Sequence, residues 1–214
     1  MTLVLTAAVL GFLGFRLAGA ARYSLGDGRR LAGLVVRGIR WRHVWPVPLV
    51  LTAVLAVSLA LLQVPVLAWG WWSAIGGEGN PALGSTTQAD GTFLEWLLPA
   101  VFLALLAPAV PLLALREEEV FRRGAEGWST AKRAGLCVVF GLAHAAIGIP
   151  LGVALALSIG GAYFQVVYLR GFRSSGGRPR VACLESARAH TAYNWTIVAL
   201  VVVVLVAEAV TATA

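Results

Sequence analysis

The sequence predicts an all-α fold: a polytopic membrane helix bundle of about six transmembrane helices, with an interfacial helix. Three observations carry this. The chain has 214 residues, of which 59% are hydrophobic and 13% charged, and its mean hydropathy is +0.81. A soluble domain carries about 25% charged residues, and a disordered chain is far less apolar. All 17 Lys and Arg fall within 16–42, 116–133 and 170–188, which is the pattern of basic loops gathered on one side of a membrane. The apolar runs between them are continuous rather than alternating, which argues against a membrane β-barrel.

The elements follow in order. The first 15 residues are uncharged and mostly apolar. A signal peptide needs a basic region ahead of its apolar stretch, and here the first base, Arg16, comes after it. Residues 2–20 therefore read as a retained first crossing with the N-terminus outside. Residues 22–42 hold six Arg, with Leu31, Leu34, Val35 and Ile39 at helical spacing. They read as a cytosolic interfacial helix on anionic lipid, or as a basic loop. Residues 43–77 carry no Asp, Glu, Lys or Arg, and Trp45, Trp69, Trp71 and Trp72 flank their apolar middle as interface anchors do. This is the second crossing. Residues 73–94, rich in Gly, Ser, Thr and Asn, form an external loop.

Residues 96–115 are a third crossing of 20 uncharged residues, in which Pro99, Pro108 and Pro111 predict kinks. The next uncharged run, 134–169, has 36 residues. One helix of that length would run roughly 54 Å against a hydrocarbon core of about 30 Å. Gly148-Ile149-Pro150 breaks it near the middle, so it makes two crossings and returns 170–188 to the basic side. The last crossing begins near Ala189. The whole is a single membrane domain with an N-terminal part, 1–95, and a second bundle, 96–214. Both termini lie outside, in a multi-pass protein of a bacterial plasma membrane.

The net charge of +7 does not imply nucleic acid, because the basic residues leave long gaps that a nucleic-acid face would not need. Membrane lipid is the expected partner of the basic loops. Cys137 and Cys183 lack both a disulfide framework and metal-type spacing.

Ionisable groups are costly within lipid and are either paired or functional. Outside the basic loops the candidates are the acidic run 117–119, His144, and the pair His190 and Asn194. Glu118 and Arg122 stand at i, i+4, as do Glu119 and Arg123, and such pairs bridge along one helix face. Phe140 precedes His144 by one turn, and His190 and Asn194 share a face. Taken singly, each has a structural reading: a charged helix end, a hydrogen-bonded buried histidine, and interhelical hydrogen bonding. Together they offer a carboxylate, two imidazoles and a carboxamide. Such a set can activate water and hold an oxyanion, or bind zinc with an open position.

In these residues the chain resembles the CAAX protease and bacteriocin-processing (Abi-type) family of intramembrane proteases. That signature is Glu-Glu-x-x-x-Arg, then Phe-x-x-x-His, then His-x-x-x-Asn or Asp. It is matched here by Glu117-Glu118 with Arg122, Phe140 with His144, and His190 with Asn194. The match covers about 117–194, and 1–95 agrees only in being membrane helices.

The resemblance implies a peptidase whose catalytic bundle is 96–214. Glu117 is the implied general base, His144 holds the water, and Glu118 with Arg122 orients and balances the base. His190 and Asn194 form the implied oxyanion site, with Phe140 in support. No cofactor is expected, and the alternative is zinc held by Glu117, His144 and His190. A second register, Glu118-Glu119 with Arg123, also fits, and would move each acidic role one residue along. The expected substrate is a membrane-associated peptide or protein. The alternatives are a non-enzymatic scaffold or toxin-immunity protein of the same fold, and a transporter using the histidines as proton relays.

Overall fold

The structure is a computed structural model that describes residues 2–74 and 93–212. The expected external loop, 73–94, lies almost wholly outside the described residues. Among the described residues there are helices and turns and no strand. In chain order these are α1 (Thr2–Leu25), α2 (Arg29–Val36), α3 (Trp41–Val44), α4 (Val47–Leu61), α5 (Pro65–Ala68), α6 (Trp71–Ala74) and α7 (Phe93–Phe121). They continue with α8 (Thr130–Ala143), α9 (Leu151–Ala156), α10 (Ser158–Ser174) and α11 (Pro179–Ala212). Among the described residues, five stretches are long and apolar enough to cross a membrane: Trp41–Leu61, Leu97–Gly127, Thr130–Ile147, Leu151–Ser174 and Pro179–Glu208. The chain is an all-α integral membrane bundle. The 24-residue α1, the remaining expected crossing, packs along α7.

The central helices are α7 and α11. Helix α7 packs on α1 and α11, while α11 also meets α10, α2, α3 and α4. The three prolines expected to kink the third crossing all lie within α7, which runs unbroken past the acidic run to Phe121. One of the resulting backbone gaps is filled from outside the helix. Pro111 has no N–H for the carbonyl of Ala107, four residues back. Trp195 of α11 donates its indole N–H to that carbonyl at 2.9 Å. Beyond Phe121 the chain turns at Gly124, whose φ of 92° lies in the left-handed region. Ser129 then caps α8, its Oγ accepting the backbone N–H of Lys132 at 3.3 Å.

The expected break in the long apolar run is present. Helix α8 ends at Ala143, His144–Ile147 forms a 3₁₀ turn, and Gly148 takes a φ of 90° ahead of Pro150 and α9. The tryptophans expected as interface anchors divide at this point. Trp45 and Trp69 are exposed, but Trp72 is buried. The Trp71 indole N–H donates to the carbonyls of Ala145 and Ala146 at 3.1 and 3.2 Å, and the Trp69 carbonyl accepts from Leu151 N–H at 3.0 Å. Trp71 and Trp72 thus correct the anchor reading. The freed carbonyls of a broken helix need donors that lipid cannot supply, and an indole supplies one.

Two apolar clusters form the core. One gathers Val35 of α2 with Leu115, Tyr168, Ala182, Cys183 and Ala187, so α2 is anchored to the bundle by a buried residue. The other gathers Val47, Phe140, Phe164, Ala189, Ala192 and Tyr193. Small residues on α10 and α11 permit this close approach, which in lipid replaces the missing hydrophobic drive between helices. A Cβ added to Gly161 would lie 2.9 Å from the Phe140 ring. Large apolar side chains such as Phe15, Leu49 and Val203 are exposed, as lipid-facing positions require.

Candidate active site

The three motifs converge where α7, the α8 terminus and α11 meet. Glu118 is fully buried, and Arg122, one turn on, is 1% exposed. Their contact is an ion pair, Arg122 Nε lying 3.5 Å from Glu118 Oε2. Arg122 donates through Nη2 to the Gly161 carbonyl at 3.2 Å, and its guanidinium sits 4.1 Å from the centroid of the Phe140 ring. Such a cation over an aromatic face contributes about 0.5–2 kcal/mol.

Glu118 has two further partners on α11. His190 Nδ1 lies 2.9 Å from Oε1. Ser186 Oγ lies 2.5 Å from Oε2 and 2.9 Å from the Phe164 carbonyl. A hydroxyl has one proton to give, and the shorter distance is that of a hydrogen bond to a carboxylate. Ser186 therefore donates to Glu118. With Nδ1 of His190 donating to the same carboxylate, the other ring nitrogen, Nε2, is left to the site. The His190 ring stacks on Phe164 at 4.2 Å and meets the edge of Phe140 at 5.7 Å, which locks its plane.

Glu117 points the other way. Its side chain is 37% exposed, and Oε2 lies 3.7 Å from His190 Nε2. That is beyond a direct hydrogen bond, and Oε2 is a buried atom with no hydrogen-bond partner among the described residues. Glu117, His144 and Asn194 all line one cavity of about 460 Å³. His144 stands at the end of α8, and its Nδ1 lies 2.9 Å from the Phe140 carbonyl. Its ring packs on Phe140 at 4.9 Å between centroids. With Nδ1 donating to that carbonyl, Nε2 is the nitrogen left free. The rest of the wall is apolar, including Leu103, Leu106, Val110, Val198 and Val201. From Glu117 to Leu103 the cavity follows α7 for roughly 21 Å.

The structure thus brings all six candidate side chains and Phe140 into one region. The buried pair is Glu118 with Arg122. Glu119 is half-buried and Arg123 exposed. These two line a separate small cavity with Arg180 and Cys183. The chemistry of Glu117, His144 and His190 suits zinc, and each ring has its Nδ1 engaged as ligating histidines do. Among the described residues, however, no three His, Cys, Asp or Glu side chains are grouped closely enough to hold a metal ion.

Two features escape the sequence patterns. Ser186 falls in a stretch that reads as a basic loop, yet α11 begins at Pro179, so Ser186 stands one turn before His190. The spacing 186, 190, 194 is the signal that could have revealed it. The second feature is a polar clamp on α3. His43 is 2% exposed, and its Nδ1 accepts the Arg40 backbone N–H at 3.0 Å. Nε2 therefore carries the proton and donates to Glu185 Oε2 at 3.1 Å. Glu185 also pairs with Arg42 at 2.6 Å and with Arg188, which ties α3 to α11.

No family model matches the chain, and neither does any curated protein or solved structure.

Proposed function

We propose that this protein is an intramembrane endopeptidase of the CAAX-type family it resembles, hydrolysing a membrane-associated peptide or protein. The observation that carries the reading is the shared cavity. Glu117, His144 and Asn194 come from three helical segments far apart in sequence and line the same space, with His190 Nε2 beside Glu117.

In this reading Glu117 takes a proton from a water that also hydrogen-bonds to Nε2 of His144. The hydroxide adds to the scissile carbonyl carbon. Asn194 donates an amide N–H to the resulting oxyanion, and His190 donates through Nε2 when its ring carries a second proton. Glu117 then passes its proton to the amide nitrogen as the C–N bond breaks. Glu118 does none of this chemistry. It holds His190 by Nδ1 and is itself held by Ser186 and Arg122. The long apolar wall beside the polar end suits a substrate whose apolar segment enters from lipid.

The proposed topology takes α1 as a sixth crossing. It places the basic stretches on the cytosolic side and both termini outside a bacterial plasma membrane. The activity is tested by comparing the membrane proteomes of cells carrying the wild-type and the Glu117→Ala protein. Fragments present with the first and absent with the second support peptidase activity. Identical fragment sets support a scaffold or immunity role.

A further inference from the structure

A second cavity lies away from these residues. It holds about 1010 Å³ and is formed where the α1–α2 turn faces α7 and α11. Its charged lining is Arg29, Arg30, Arg37 and Arg188 against one acid, Asp27, and with Arg188 already paired to Glu185 the excess is two positive charges. Pro108, Pro111 and Trp195 give it an apolar floor. Trp195 stands seven residues beyond Arg188 on α11, so the floor reaches roughly 10 Å deeper along the helix than the nearest cation.

Two buried donors on its wall are left unsatisfied among the described residues. Ser24 also lines the cavity and is 3% exposed, yet its hydroxyl has no partner among the described residues. Arg188 gives its two terminal nitrogens to Glu185 and to the Leu34 carbonyl, while its buried Nε has no partner among the described residues. Basic walls above an apolar floor match a molecule with an anionic head and an apolar tail. We propose that this groove binds an anionic phospholipid. The phosphate sits among Arg29, Arg30 and Arg37, and an acyl chain lies against Pro108, Pro111 and Trp195. A zwitterionic head leaves the excess positive charge uncompensated, and a free phosphate leaves the apolar floor uncovered.

The test is lipid retention by the full chain in detergent, read by native mass spectrometry during titration with phosphatidylglycerol or phosphatidylcholine. Phosphatidylglycerol should bind at least about tenfold more tightly, and Arg29→Gln and Arg30→Gln should each weaken it about fivefold. Arg173→Gln and Arg178→Gln, equally basic but outside the groove, should change nothing. Gly33→Leu provides a variant that keeps every charge. Gly33 lines the cavity and a Cβ there meets nothing within 4 Å, so the leucine grows into open groove and should displace the lipid. Four results would overturn the proposal. These are equal binding of the two lipids, equal loss in the Arg173 and Arg178 variants, full retention by Gly33→Leu, or displacement of the lipid by glycerol phosphate at matching concentration. The last would make the site one for a soluble phosphate.

Discussion

Replacing Arg122 by Met keeps the length of the stem and removes only the charged head. The change falls on a pair in which Glu118 is fully buried and Arg122 is 1% exposed. Removing one partner of a buried ion pair costs about 3–5 kcal/mol, because it strands the other charge. Glu118 would keep Ser186 and His190 as donors, which places the cost near the lower end, about 3 kcal/mol. Loss of the guanidinium over Phe140 adds to it. For a chain of this size each kcal/mol shifts Tm by about 2–4 °C, so the expected drop is about 6–12 °C. Arg123 is exposed, and Arg123→Met should move Tm by no more than about 2 °C. The double variant Glu118→Gln with Arg122→Met should recover much of the loss, since it removes both charges together. The assay is thermal loss of the monodisperse species in detergent, which needs no knowledge of the substrate. Equal shifts for Arg122→Met and Arg123→Met would refute the argument.

Further outcomes follow from other contacts. Trp195→Phe leaves the Ala107 carbonyl without its donor at the Pro111 gap, and should cost about 1–3 kcal/mol by the same thermal assay. An unchanged Tm would mean that the carbonyl finds another partner. Once a substrate is in hand, Asn194→Ala should slow cleavage by roughly 10²–10³, as for one oxyanion donor. His144→Ala should cost at least as much, and an Asn194→Ala enzyme of full rate would remove that residue from the site. The expectation of no metal is checked on purified protein. Activity should survive chelation, whereas reversible loss restored by zinc would assign Glu117, His144 and His190 as ligands.

Much of this arrangement is legible in the sequence because helices impose their own spacing. The i, i+4 relations of Glu118 with Arg122, Phe140 with His144, and His190 with Asn194 fix which side chains share a face before any packing is known. The Gly148-Ile149-Pro150 break is equally legible, since a positive φ and a missing N–H both act locally. What is not legible depends on partners far along the chain. His43 meets Glu185 across 142 positions, and nothing at either residue announces the other. Trp71 and Trp72 sit where interface anchors belong, but Trp71 donates to the broken end beyond α8 and Trp72 is buried. Ser186 was hidden by its basic neighbours, because a helix that projects past the hydrocarbon carries charge in its first turns and still presents one buried face.

Glu117 is the residue proposed to face the reacting water, with Glu119 outside the site; the other register would make Glu118 the base and Glu119 part of the buried pair. Glu117→Gln and Glu119→Gln differ from the wild type by one oxygen-to-nitrogen exchange each, at positions about 200° apart around α7. The decisive measurement is the cleavage rate of a membrane fragment identified in the proteome comparison, using both variants purified and shown to be folded. Glu117→Gln should lose at least about 10²-fold in rate, the scale of a lost general base, while Glu119→Gln should stay near the wild type. An active Glu117→Gln beside an inactive, folded Glu119→Gln would contradict that assignment.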